Sequence, residues 1–164
     1  MNLISTRRQP MRLLAIALLV AGGSIGAAEP VIGLSSSSPV VMPAATAPTR
    51  VTIGTGTSPA LGRYLTSPNG RTLYTLSSDP TNRSRCIGRC AEAWPPLLIA
   101  ANGKVVPPSG VTGSFVIVAR SDGTHQVSFD GHPLYGFVGD TAPGQTNGEG
   151  IVAFGGTWHV AKAS

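Results

Sequence analysis

Gly70-Arg-Thr-Leu-Tyr-Thr-Leu-Ser-Ser-Asp79 returns later in the chain as Gly131-His-Pro-Leu-Tyr-Gly-Phe-Val-Gly-Asp140. Gly, Leu, Tyr and Asp keep their relative positions: Tyr135 follows Tyr74, and Asp140 follows Asp79, by the same 61 residues. A turn former, Asn69 or Asp130, precedes each copy. Self-similarity of this kind means a fold built from copies of one supersecondary unit. The period exceeds a propeller blade of about 40 to 45 residues, and two copies are too few for a ring. Two equivalent strands related by a pseudo-two-fold axis are therefore expected.

Working outward, the N-terminal end reads as an address. Arg7, Arg8 and Arg12 precede the apolar run Leu13-Leu-Ala-Ile-Ala-Leu-Leu-Val20, which fades into small residues ending at Ala28. That is the pattern of a secretory signal peptide over residues 1–28, cleaved near Ala28. The run is short of the roughly 18 to 20 residues that span a bilayer, so no transmembrane segment is expected in the mature chain. Met11 opens a complete signal on its own, and Arg7-Arg8 is a weak twin-arginine hint. Residues 29–58, rich in Ser, Pro, Ala and Thr, read as a flexible linker. Within it only Val51-Thr-Ile53 alternates as a strand would.

The chain carries 12 basic and 7 acidic residues, net +5. Without the three signal arginines the excess falls to about +2, far from the dense basic stripe that nucleic acid requires. Sparse charge with 21 Gly and 14 Pro suits a turn-rich all-β domain.

The folded part is expected over residues 59–164, with repeat 1 at about 61–100 and repeat 2 at about 115–160. Arg63–Thr66 and Arg71–Leu76 flank Asn69-Gly70, a hairpin signal, since both residues tolerate the positive φ of primed turns. Phe115–Ala119 and His125–Phe129 flank Asp122-Gly123, and Asp130-Gly131 turns the chain again into Pro133–Phe137, making a meander. Ile151–Phe154 and Thr157–Val160 supply last strands. Side chains two apart share a face, so Tyr74 sits beside Leu76 and Tyr135 beside Phe137, with Leu73 and Leu134 opposite. Apolar residues on both faces predict an antiparallel, sandwich-like all-β domain covered on both sides. One short helical turn, Arg89–Trp94, is expected near Cys90 and stopped by Pro95-Pro96.

These residues also carry a likeness. Gly70-Arg-Thr-Leu-Tyr74, Asp79, Cys86-x3-Cys90-Ala and Trp94-Pro-Pro-Leu97 resemble the bacterial secreted-repeat family of unknown function. Asp122-Gly, Gln126-Val, Pro133-Leu-Tyr135, Asp140, Pro143-Gly144 and Trp158-His-Val160 extend the likeness over residues 61 to 160. Many members are exported lipoproteins, and the hallmark is a Tyr-x4-Asp signature. The resemblance implies two repeats and an extracytoplasmic location, and no activity. No cysteine lies near the cleavage site, so a lipid anchor is not expected.

Candidate sites follow. Cys86 and Cys90, four apart in an exported protein, are expected to form a disulfide, with Cα atoms about 6 Å apart on a helical turn. A metal or redox pair is the alternative, although Cys-x3-Cys lacks zinc-knuckle and thioredoxin spacing. Tyr74 and Tyr135 are expected in the core. Asp79 and Asp140 are expected to end their strands and lock turns through backbone N–H groups two residues on. The rival reading has the two aspartates converging about the pseudo-dyad on a cation, with Asn82, Asn147 and Glu149 nearby. His125, His132 and His159 are the candidate metal ligands. Arg83, Arg85 and Arg89 cluster beside the cysteines as candidates for an acidic polysaccharide or phosphate. Trp94 and Trp158 are expected as core or edge aromatics, with sugar stacking as the alternative.

No Gly-x-Ser-x-Gly, His-Glu-x-x-His or phosphate loop is present. The expected function is an exported, non-catalytic binding or envelope-associated module, without cofactor unless the histidines bind metal. The runner-up is an extracytoplasmic metal-binding or redox protein, and an envelope hydrolase comes last. The expected partner, if there is one, is a cell-envelope component, and the location is secreted or periplasmic.

Overall fold

The structure is a computed structural model that describes residues 46–163. The signal segment and the first part of the expected linker lie outside the described residues.

Ten short strands and one helical turn follow the chain: β1 Arg50–Thr52, β2 Gly54–Ser58, β3 Gly62–Thr66, β4 Tyr74–Leu76, α1 Arg89–Ala93, β5 Lys104–Val106, β6 Phe115–Ala119, β7 His125–Phe129, β8 His132–Pro133, β9 Val152–Ala153 and β10 Gly156–Val160. β6, β7 and β8 form the expected antiparallel meander. At its second turn Asp130 and Gly131 take φ of 46° and 86°, the two positive values that a primed turn demands. The Asn69-Gly70 turn is different. Only Gly70 is at positive φ, and the chain closes through Ser67 N–H to the Arg71 carbonyl over a wider loop.

β1 and β2 correct the sequence reading, which assigned residues 50–58 to a flexible linker. β2 pairs antiparallel with β3 along five residues, from Gly54↔Thr66 to Ser58↔Gly62. β1 runs parallel to β5, and Val51 and Ile53 are buried in the core. The small, polar composition hid this, because the burial comes from two side chains and the pairing from the backbone alone. The folded unit therefore begins before residue 59.

The two copies meet at their centres. Tyr74 and Tyr135 form an antiparallel bridge in which each N–H donates to the other's carbonyl, at 2.8 and 2.9 Å. β10, at the end of repeat 2, pairs with β4 of repeat 1, Val160 opposite Tyr74. The strands form four small sheets, and this pairing across the repeats ties the two copies together.

Two buried clusters lie on opposite faces, as the alternation of side chains requires. One contains Leu65, Leu73, Ile99, Val127 and Leu134. The other contains Tyr64, Tyr74, Leu76, Cys86, Cys90, Trp94, Tyr135 and Trp158, with Phe137 packed against it. α1 delivers Cys90 and Trp94 to this aromatic face.

Candidate functional site

The signature residues pair across the repeats. The Tyr74 hydroxyl donates to Asp140 Oδ2 at 2.7 Å, and the Tyr135 hydroxyl donates to Asp79 Oδ2 at 2.5 Å. Each repeat's tyrosine thus satisfies the other repeat's aspartate. The second carboxylate oxygens hold loops: Arg85 N–H donates to Asp79 Oδ1 at 2.8 Å, and Asn147 N–H to Asp140 Oδ1 at 2.9 Å. These donors lie six and seven residues on, not two. The expectation of a local turn lock is therefore corrected to a long loop clamp with a tertiary partner. Asp140 is completely buried, and its burial demands donors.

Of the nearby residues of the cation reading, Asn82 and Asn147 each make a side-chain hydrogen bond within the fold. Asn147 Nδ2 donates to the Gly139 carbonyl, and Asn82 Oδ1 accepts from Ser128 Oγ.

The tyrosines close an aromatic column. Trp94 and Trp158 stack with centroids 3.9 Å apart and planes 1° from parallel. Tyr74 meets Trp94 edge-on at 5.3 Å, and Tyr135 meets Trp158 edge-on at 5.1 Å. Edge-to-face contacts suit the ring quadrupoles. Phe137 stacks on Trp94 at 4.2 Å. Both tryptophans are closed to solvent, so the sugar-stacking alternative for Trp94 and Trp158 is overturned. Gly148 allows this packing, because a Cβ there would stand 2.7 Å from the Trp94 ring.

Sequence reasoning missed the buried polar network beside Asp79. Arg120 is almost completely buried. Its Nη1 donates to Ser84 Oγ at 2.8 Å and Gln126 Oε1 at 2.7 Å, and its Nη2 to the Cys86 carbonyl at 2.8 Å. Ser84 Oγ lies 2.7 Å from the Tyr135 hydroxyl, and Gln126 Nε2 donates to the Leu134 carbonyl. Arg120 also pairs with the more exposed Asp122 at 3.0 Å. Thr124 bonding, against slight desolvation, and Arg120 hold Asp122 low, at about 2. Next to a Ser-Asp-Gly turn, Arg120 reads as a surface residue, and no local signal marks it as buried.

Burial, and then the facing carboxylates, push the Tyr74 and Tyr135 hydroxyls well above the ordinary tyrosine value. The raised folded pKa values stabilise the fold fully below the unfolded value of about 10, and that contribution is lost as pH rises beyond it. Denaturant midpoints should therefore fall steeply on the alkaline side of pH about 10. Tyr74→Phe and Tyr135→Phe should each lower stability at neutral pH and flatten that alkaline limb. A wild-type midpoint constant across this range would refute the coupling.

Cys86 and Cys90 form the expected disulfide, Cα atoms 5.1 Å apart. The loop it closes carries Arg83, Arg85 and Arg89, all exposed. Their guanidinium groups make no hydrogen bond or ion pair with described residues, whereas Arg63, Arg71 and Arg120 are committed to protein acceptors. Arg83, Ser84, Arg85, Ile87 and Ser121 line a hollow of about 410 Å³, and Arg89 stands outside that lining at the start of α1.

The histidines separate. His125 and Phe129 mark opposite ends of β7, whereas His132 pairs with Phe129. His132 and His159 line one hollow of about 310 Å³ without His125. His159 Nδ1 is 2.9 Å from Glu149 Oε1, and Glu149 Oε2 accepts the Val160 N–H. Burial raises the Glu149 pKa, but the His159 and Val160 bonds outweigh it and hold the carboxyl below its ordinary value. Among the described residues, no three His, Cys, Asp or Glu side chains group to hold a metal ion.

Two repeats exchanging their tyrosine–aspartate bonds define a duplicated all-β module whose signature residues bond one another. The family description "secreted repeat of unknown function" matches residues 56–98 and 116–162, and the chain belongs to that family. No curated protein and no solved structure matches the chain. Among the described residues, no helix is long and apolar enough to cross a membrane.

Proposed function

We propose that the protein is an exported, non-catalytic binding module, released by cleavage near Ala28, whose binding face is the disulfide-closed arginine loop. One observation carries this reading: Arg83, Arg85 and Arg89 project uncommitted guanidinium groups from a backbone that is held from below. Asp79 clamps the Arg85 N–H, Arg120 grips the Cys86 carbonyl, and the disulfide ties Cys86 to α1. A backbone already held in place spares the ordering of the loop on binding, leaving only the side chains to be immobilised, and guanidinium forks match carboxylate and phosphate oxygens. The ligand is an acidic polymer of the cell envelope. The signature carboxylates are bonded to tyrosines and serve the frame.

The test is retention of the mature protein on beads bearing an acidic cell-wall polysaccharide. Wild type should bind and release as salt rises. Arg83→Ala/Arg85→Ala/Arg89→Ala should bind about tenfold or more weakly, since each charged hydrogen bond is worth about 1.5 to 3 kcal/mol. Equal retention of the two proteins would refute the assignment.

A further inference from the structure

The aromatic column has a second property, independent of the arginine loop. Tyr74, Trp94, Trp158 and Tyr135 form an unbroken series with centroid steps of 5.3, 3.9 and 5.1 Å. Indole and phenol are the side chains most readily oxidised by one electron among the aromatics, and contacts this close let the vacancy move between rings. Its resting place depends on protons, because a phenol that loses an electron must also lose its O–H proton to be stabilised. Each terminal tyrosine has an acceptor in place, Asp140 at 2.7 Å and Asp79 at 2.5 Å, within the reach that proton transfer requires. The buried Trp158 Nε1–H has no hydrogen-bond partner, so an oxidised Trp158 has nowhere to send its proton.

We propose that this column is a one-electron relay that traps an oxidising equivalent on Tyr74 or Tyr135. The co-reactant is a one-electron oxidant, an oxygen-centred radical met outside the cytoplasm. It takes one electron from the column and is reduced by one electron. The phenolic O–H bond breaks, its proton bonds to Oδ2 of the facing aspartate, and the products are a neutral tyrosyl radical and a neutral carboxyl group. The raised tyrosine pKa values fit this scheme: the phenols stay protonated at rest, so the proton leaves only with the electron.

Tyr64, the remaining tyrosine of three, supplies an internal control. It is buried in the same cluster, but no aspartate faces its hydroxyl among the bonds of the described residues. Photogenerated tris(bipyridine)ruthenium(III) would oxidise the full mature chain, with the radical identified by electron paramagnetic resonance. Wild type should give a tyrosyl signal that disappears in Tyr74→Phe/Tyr135→Phe. A tryptophan radical in the wild type, no radical at all, or a tyrosyl signal unchanged in the variant would overturn the relay. A second measurement needs no variant. Because the proton acceptor is internal, the wild-type rate of tyrosyl formation should not depend on the concentration of buffer base. A rate rising in proportion to buffer base would also overturn it.

Discussion

Tyr135→Ala is expected to destabilise the protein by about 3 to 5 kcal/mol or more, and Tyr74→Ala by a similar amount. Both side chains are completely buried, so truncation opens a cavity beneath the tryptophan stack and removes an edge-to-face contact. Each substitution also strands a carboxylate. Without Tyr135, Asp79 Oδ2 loses its partner, and without Tyr74, Asp140 Oδ2 does. An unsatisfied buried polar group costs a further 1 to 3 kcal/mol or so. A small domain holds about 5 to 15 kcal/mol in all, so either variant should be close to unfolding. Tyr→Phe separates the two effects by keeping the ring and removing only the bond. Urea titration of the four variants checks this, and an Ala variant no worse than its Phe counterpart would contradict a packed-core role.

Arg120→Met is the second large effect, at about 3 to 5 kcal/mol, the usual consequence of removing one member of a buried charged network. Methionine fills most of the volume, but Ser84 Oγ, Gln126 Oε1 and the Cys86 carbonyl lose their donor together. Lysine should rescue little, because one ammonium cannot reproduce the planar fork that spans these acceptors. Asp122, on the other side of Arg120, is well exposed and should matter far less. Asp122→Asn is thus the control, expected within about 1 kcal/mol of wild type, as for exposed ion pairs. Thermal melts that rank Asp122→Asn with Arg120→Met would place the weight of the network at the surface instead.

Much of the fold is legible along the chain because it is decided locally. Alternation put Tyr74, Leu76, Tyr135 and Phe137 on one face and Leu73 and Leu134 on the other, and the two clusters divide that way. The Asp-Gly turns and the short helix before Pro95-Pro96 are equally local. So is the disulfide, since only four residues separate the cysteines and Gly88, at a φ of 55°, bends the chain between Cys86 and the start of α1. β1 and β2 were harder to read, because backbone pairing to β5 and β3 orders a stretch with few large apolar side chains.

The duplication and the identity of the repeated residues are thus properties of the sequence by itself. The partner of each signature residue is not. Tyr74 bonds Asp140 and Tyr135 bonds Asp79, across 66 and 56 residues, although each tyrosine has an aspartate of its own five positions away. The nearer aspartate lies in the loop beyond its own tyrosine, Asp79 after β4 and Asp140 after β8, while the packing of the repeats brings the other carboxylate to the hydroxyl. The same holds for Arg120, whose acceptors Ser84 and the Cys86 carbonyl come from repeat 1. Burial decides both cases. A phenol, a carboxylate or a guanidinium taken from water must find its partners among the groups buried with it. Which groups those are depends on how the two repeats pack.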